Sequence, residues 1–345
     1  MTSIWNQYFP PKPEWSIDDV PDQSGRVFLV TGGNTGLGFA TAKVLLARNA
    51  KVYITSRDRD KGRRAVDELR KISEAIRVLH LDLSDLYSVR RAADEFMSKE
   101  HRLHVLINNA GVMSPPIALL TRQKYDLQFG VNVLGHFYLT QLLLPVLLAT
   151  AKATGQKVRV INYSALFGPD ARIDYTTLMD GPVRRKCSPA QLYRQSKLAN
   201  LLFALELAVQ YGEQGIVSIA INPGNVHTSL LRHTGAVPVS IWDMFSHSVS
   251  KGILTPLFAA TSPKVDQLNG KQLLIPWARL GQVPASILER CAQENLWDWL
   301  EAQTDCFQRM NHAKSDSTVF LEHGFDNVSV VSVRSKVAEN EALLI

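Results

Sequence analysis

Cysteine is scarce in this 345-residue chain: Cys187, Cys291 and Cys306 are the only three. An odd, scattered set with no CxxC spacing argues against a disulfide framework and points to a reducing compartment, read here as the cytoplasm. No histidine or cysteine cluster has metal-ligand spacing, so no metal is expected. Long apolar runs are also missing. The longest, LLLPVLLATA (142–151), is too short to span a membrane and carries Pro145, so it reads as a buried helix. The start, MTSIWNQYFPPKPEW, has no basic stretch followed by an apolar one, which argues against a signal peptide. Neither sign of charge dominates: 38 basic against 32 acidic residues give +6 and a pI near 9.2. The basic clusters SRDRDKGRR (56–64) and RRK (184–186) are short and not interleaved with aromatics, so no nucleic-acid partner is expected. No repeat of solenoid length is visible.

What the chain does have is hydrophobic content of 46%, enough for one large core, and a regular alternation. From about Gly25 to Gln272, β-branched runs alternate with longer helical patterns. VFLVTG leads to FATAKVLLARNA, KVYITS to RRAVDELRKIS, and IRVLHLDLS to SVRRAADEFMSK. HVLINNAG, VRVINYSA, IVSIAINPG and a late GKQLLIP continue the series, with helical FGVNVLGHFYLTQLLLPVLL and AQLYRQSKLANLLFALELAVQYG between them. This alternation predicts an α/β fold: a doubly wound parallel sheet, in a single domain with helical C-terminal additions. The domain is expected over residues 25–310, after a proline-rich, extended arm at 1–24. Segments 229–261 and 283–304 read as mainly helical. The remainder, 311–345, loses the rhythm and reads as a peripheral tail with some order around VSVVSV.

The first strand runs into TGGNTGLG (31–38), and a helix follows at once. Gly32, Gly36 and Gly38 permit a tight turn and close backbone approach, so that the helix N-terminus can offer its unpaired N–H groups to a pyrophosphate. A glycine-rich turn without a ligand is the plainer reading; the strand before it and the helix after it favour the nucleotide site. With this TGxxxGxG spacing, and with LDLSD (81–85), NNAG (108–111), FGVN (129–132), YRQSK (193–197) and NPGNVHT (222–228) following in order, the chain resembles the short-chain dehydrogenase/reductase superfamily over roughly residues 25–280. The stretch between the fifth strand and YRQSK, with SKLANLLFALELA, is similar to the retinol-dehydrogenase-like branch. NGKQLLIPWARLG and ENLWDWLEAQ are similar to its fungal members.

The resemblance implies a Rossmann fold and hydride transfer with a nicotinamide cofactor. Asn34, Thr35 and Leu37 would join the three glycines in the phosphate loop. Asp82 and Leu83 would border the adenine, Asn109, Ala110 and Gly111 would line the cofactor, and Pro223, Gly224, Val226 and Thr228 would contact nicotinamide and phosphates. Where an NAD-preferring member ends its second strand in an acid, this chain has Ser56 followed by Arg57. Arg57 can stack on adenine and pair with a 2′-phosphate, so NADP(H) is expected; a solvated helix-start charge is the plainer alternative. Asp58 reads as surface, just past the strand. His80 and His136 read as structural, and His227 as incidental to its loop.

SPAQLYRQSK reads as a helix start, with Ser188 as N-cap, Pro189 in the first turn and Gln191 completing a capping box. Tyr193 and Lys197 then share a helix face. A free phenol titrates near 10, but a neighbouring ammonium and an oxidised nicotinamide favour phenolate, which makes Tyr193 the general acid for reduction and base for oxidation. By resemblance Asn132 would hold a water linking Lys197 to solvent. The family's catalytic serine falls three residues after Asn162, and there this chain has Ala165. Ser164 precedes it, and strand alternation would turn it away from the site unless a bulge re-aims it. Three readings stay open: an engineered Ser-to-Ala change, a natural loss of activity, or Ser164 serving through altered register.

The expected activity is NADP(H)-dependent reduction of an aldehyde or ketone, or oxidation of the corresponding alcohol. The alternative is a non-catalytic NADP-binding protein of the same fold. Leu231, Val237, Ile241, Trp242, Met244 and Phe245, in a lid within 229–261, predict a hydrophobic substrate such as a lipid, a retinoid-like aldehyde or a fungal secondary metabolite. Packing of the lid on the core would account for the same residues. The apolar helices around 142–148 and 198–209 predict either a homodimer or a monomer in which C-terminal additions cover them.

Overall fold

The computed structural model describes residues 5–165, 171–226, 247–270, 273–283, 287 and 289–322. By internal contacts the chain divides into Met1–Glu301 and Ala302–Ile345. The first unit holds the sheet: β1 (Val27–Val30), β2 (Lys51–Ser56), β3 (Ile76–His80), β4 (Val105–Asn108), β5 (Val158–Tyr163), β6 (Ile216–Ile221), β7 (Leu273–Ile275) and β8 (Arg279–Gly281). Among the described residues these eight strands form one sheet in the order β3-β2-β1-β4-β5-β6-β7-β8. Pairing is parallel through β7, and the β7–β8 pair is antiparallel. Strands β1, β4, β5 and β6 are buried at every position, which is why their sequences are mostly apolar without a polar face in alternation, the buried Asn108, Arg159, Asn162 and Ser218 being the exceptions. The order reverses between β1 and β4, opening a crevice at the strands' carboxyl ends.

A short helix α1 (Trp5–Tyr8) opens the described chain, followed by α2 (Gly36–Ala47), α3 (Arg59–Arg70) and α4 (Leu86–Lys99). Next, α5 (Leu127–Phe129) passes through a π-helical turn at Gly130–Leu134 into α6 (Gly135–Thr154). The helical run Leu127–Thr154 is therefore longer than the apolar stretch read from the sequence, and long and apolar enough by composition to cross a membrane. Yet 67% of its apolar window is buried inside the protein, as befits a core helix. Then come α7 (Pro182–Lys186), α8 (Pro189–Tyr211), α9 (Val249–Gly252), α10 (Leu254–Thr261) and α11 (Arg290–Glu322).

Three regions differ from the sequence reading. The arm is not simply extended: it contains α1 and a 3-10 turn at Ile17–Asp19, and Val20 is buried in the core. Strand β8 was not anticipated, because three residues of mixed polarity carry no periodic signal. The tail is helical as far as Glu322, whereas VSVVSV (328–333) lies outside the described residues, as do residues 227–246 with the lid side chains named above.

The start of α11 settles on α6 and α8. Trp297 meets the rings of Phe137, Phe203 and Tyr211 at 5.0, 6.1 and 6.4 Å, and Leu296 and Leu300 are fully buried. Arg290 clamps the buried Glu206 of α8 at 2.9 Å. Burying each leucine is worth roughly 1.5–3 kcal/mol. The apolar face of α8 is thus covered from within the chain.

Candidate active site

Thr31 follows β1, and the turn after it bends where only glycine is comfortable. Gly32 and Gly36 have φ of +63° and +59°. Gly38 serves packing: a Cβ there would stand 2.5 Å from Asn109 Nδ2. Thr35 is the N-cap of α2 but its side chain makes no capping bond, so the first-turn N–H groups keep their capacity for an anionic ligand. The Thr31 hydroxyl is a node. It accepts from the Asn109 and Ala110 amides at 2.9 and 3.0 Å and donates to His136 Nε2 at 2.8 Å, while His136 Nδ1 donates to the Asn132 carbonyl at 3.0 Å. Burial lowers His136 to about 4, which keeps it neutral, as this pattern of one donor and one acceptor requires. His136 is structural, as read, and it ties the glycine turn, the NNAG loop and the π-turn together.

These elements surround a cavity of about 460 Å³. Of the residues singled out from the sequence, Gly32, Asn34, Thr35, Gly36, Leu37, Ser56, Arg57, Asp82, Leu83, Asn109, Ala110, Gly111, Pro223, Ser164, Tyr193 and Lys197 line it. Gly38, Asn132, Ala165, Gly224 and Val226 do not form its wall, and Thr228 and His227 lie outside the described residues. The sequence reading missed Lys61, Leu127 and Val131, which also line it. Lys61 sat unremarked within a basic cluster, and the two apolar residues are indistinguishable by type from the core. Among the described residues no group of three or more His, Cys, Asp or Glu is placed to hold a metal.

At the end of β2, the Ser56 hydroxyl donates to the Asp58 carbonyl at 2.7 Å. Asp58 does line the cleft, but its Oδ1 caps α3, accepting from the Asp60 and Lys61 amides at 3.0 Å each. The Lys61 backbone bond, first, holds its carboxyl below the usual range. Arg57 is exposed at the rim, and His80 Nε2 donates to its carbonyl at 3.1 Å.

The catalytic helix begins as its sequence dictates: Ser188 and Gln191 form a capping box, and Pro189 occupies the first turn. Tyr193 is half-buried, and the Lys197 ammonium lies 5.7 Å from its ring centre. Lys197 Nζ donates to the Tyr163 carbonyl at the end of β5 at 2.9 Å, and Asn200 Nδ2 donates to the same oxygen. Burial draws Lys197 down to about 8 and pushes the Tyr193 phenol above its usual value. In the free protein, then, desolvation outweighs the expected lowering of the phenol by Lys197, because a low-dielectric wall disfavours both charged forms. Asn132, in the π-turn, has its amide fully engaged: Oδ1 accepts from the Val112 amide, and Nδ2 donates to the Val112 carbonyl and to Ser196 Oγ.

Strand β5 ends at Tyr163, and the next residue, Ser164, still donates its amide to the Ile221 carbonyl of β6 at 2.7 Å. Ser164 lines the cleft beside Tyr193 and Lys197, and its buried hydroxyl donates to the Lys197 carbonyl at 2.8 Å. Ala165 follows, partly exposed.

A glycine turn at an uncapped helix N-terminus, followed by Tyr193 and Lys197 at the end of the same cleft, marks one known family, and comparison bears this out. The short chain dehydrogenase family matches residues 26–177. A short-chain dehydrogenase/reductase of Armillaria gallica is 48% identical over 308 residues, covering 88% of this chain and 99% of the relative. The chain belongs to the short-chain dehydrogenase/reductases. This oxidoreductase is also similar to mouse retinol dehydrogenase 12, at 41% identity over 72% of this chain and 77% of that one. Among solved structures it resembles the Pseudomonas aeruginosa RhlG/NADP active-site complex (25% identity, TM-score 0.58, covering 71% and 92% of the two chains). It also resembles a Brucella melitensis 3-ketoacyl-(acyl-carrier-protein) reductase complexed with NADH (26%, 0.55, 72% and 95%).

Proposed function

We propose that the protein is an NADP(H)-dependent dehydrogenase/reductase acting on a hydrophobic aldehyde or ketone, or on the corresponding alcohol. The observation that carries this is the joining, in one cleft, of the glycine turn with Tyr193 and Lys197. The residues fit a dinucleotide: the turn needs glycine, and the N-terminus of α2 is left uncapped by its Thr35 side chain. Bound nicotinamide supplies or takes the hydride. Tyr193 gives the proton to the carbonyl oxygen, or takes it from the alcohol. Lys197, held by the Tyr163 carbonyl, places positive charge beside the phenol, and Asn132 braces this pair through Ser196. The resemblance also gives Asn132 the task of holding a water that links Lys197 to solvent. Leu127 and Val131 give the cleft apolar wall, in keeping with a hydrophobic substrate. Oxidation of NADPH in the presence of a panel of hydrophobic aldehydes and ketones tests the reading; no turnover together with no NADPH binding would refute it.

The preference for NADP(H) rests on Arg57 and Lys61 at the cleft rim and on the commitment of the Asp58 carboxylate to α3. Arg57→Ala is expected to weaken NADPH by about tenfold to a hundredfold, a charge-assisted contact's worth, with NADH little changed. Fluorescence titration of both cofactors checks this; equal affinities in the starting protein would reject it. The covering of α8 by Trp297 supports a monomer. Sedimentation velocity should show one 38.4 kDa species, and a concentration-independent dimer would contradict that.

Ala165 favours a second reading, a cofactor-binding protein without catalysis. Ala165→Ser and Ser164→Ala variants separate the two readings.

A further inference from the structure

Asn222, which opens the turn after β6, uses its side chain at both ends. Its Oδ1 accepts from the Gly224 amide at 2.9 Å, closing a turn in which Gly224 has φ of +82° and Pro223 faces the cleft. Its Nδ2 donates to Gln7 Oε1 at 3.1 Å. Both partners are buried, at 7% and 9% exposure, so water competes poorly for the bond. Gln7 comes from the N-terminal arm, ahead of the family match that begins at residue 26.

The described part of the arm, from Trp5, is held at several points. The Asn6 carbonyl accepts from Arg279 Nη2 at 2.9 Å, and Arg279 Nε donates to the Pro276 carbonyl at 2.6 Å. Trp15 sets its ring edge-on to Phe258 at 5.6 Å, and Arg48 holds the Ile17 carbonyl at 3.2 Å. Asn6 and Gln7 therefore lie at the carboxyl ends of β6 and β7, where the cleft opens.

We propose that Gln7 is a positioning residue of the cofactor cleft, holding the Pro223–Gly224 turn in its binding shape through Asn222. This rests on the NADP(H) reading above. Without the Gln7 acceptor, the buried Asn222 amide is left one bond short and regains it by rotating, which releases the Gly224 amide and loosens the turn. The arm is then a working part of the site.

The test uses the full chain with Gln7→Leu, Gln7→Glu and Arg279→Met. Two quantities are read: hydrogen–deuterium exchange of the peptide spanning 216–226 in free protein, and NADPH affinity by fluorescence titration. Gln7→Leu should speed exchange at the Gly224 end and weaken NADPH by about tenfold, the usual worth of a buried polar group left unpaired. It should raise the KM for NADPH more than it lowers kcat. Gln7→Glu keeps the acceptor oxygen, with Arg279 nearby to balance its charge, and should restore both readouts. Arg279→Met should move both in the direction of Gln7→Leu, by less. Exchange and affinity unchanged in Gln7→Leu, or equal damage from Leu and Glu, would overturn the proposal. Failure of the unaltered protein to bind NADPH would instead refute the cofactor reading, and the exchange measurement would still decide whether Gln7 holds the turn.

Discussion

Tyr193→Phe is expected to lower kcat/KM for carbonyl reduction by about 10²–10⁴, the usual contribution of a positioned general acid, with NADPH affinity nearly unchanged. Only the hydroxyl is removed; the ring keeps its place beside Lys197, and the glycine turn is untouched. Lys197→Ala should harm both binding and turnover, since it removes the charge beside the phenol and the bond to the Tyr163 carbonyl. The pH profile carries the same assignment. Lys197 has been drawn down to about 8, so it is charged below that pH and loses its proton above it. In the unaltered protein kcat/KM, which reports free-enzyme ionisations, should therefore fall as pH rises through about 8. A Phe variant that turned over at a similar rate would move the proton donor elsewhere.

Ala165→Ser should raise turnover by about 10²–10³, the worth of one hydrogen-bond donor aimed at a developing oxyanion. Glycine turn, phenol and ammonium are assembled in the cleft; Ala165, next in sequence after the cleft-lining Ser164, stands where the resemblance places the family's serine, so a hydroxyl added there is expected to supply the donor that alanine lacks. Ser164 is a poor substitute, because its hydroxyl proton is committed to the Lys197 carbonyl at 2.8 Å. Substrate binding should survive in the present chain, and such a protein would suit trapping a complex. The measurement compares NADPH oxidation by this chain, the Ala165→Ser variant and a Ser164→Ala variant on one panel of hydrophobic aldehydes and ketones. If Ala165→Ser changes nothing and Ser164→Ala abolishes an existing activity, Ser164 is the serine that serves. If all three bind NADPH tightly and none turns over any member of the panel, the non-catalytic reading gains.

Much of the fold and site was legible because it is local. Short β-branched, mostly apolar runs between turn residues gave the strands of a two-sided buried sheet, and Ser188, Pro189 and Gln191 gave the start of α8, since each depends on residues close in sequence. Order along the chain then carried Tyr193, Lys197 and the glycines into one cleft, because parallel strands bring their carboxyl ends to the same edge.

Other features needed tertiary structure. Composition cannot say that Asp58 spends its carboxylate on the amides of α3, or that Ser164, just past the end of β5, faces the cleft with its hydroxyl bonded to the Lys197 carbonyl. The Thr31–His136–Asn132 chain joins positions separated by 105 and four residues. The Gln7–Asn222 bond spans 215 residues. The sequence by itself determined which groups of the site exist and at which edge of the sheet they meet. The tertiary structure alone decided which hydroxyls, amides and carboxylates are already occupied, because a hydrogen bond depends on positions in space within about 3 Å, and no spacing along the chain encodes that for distant partners.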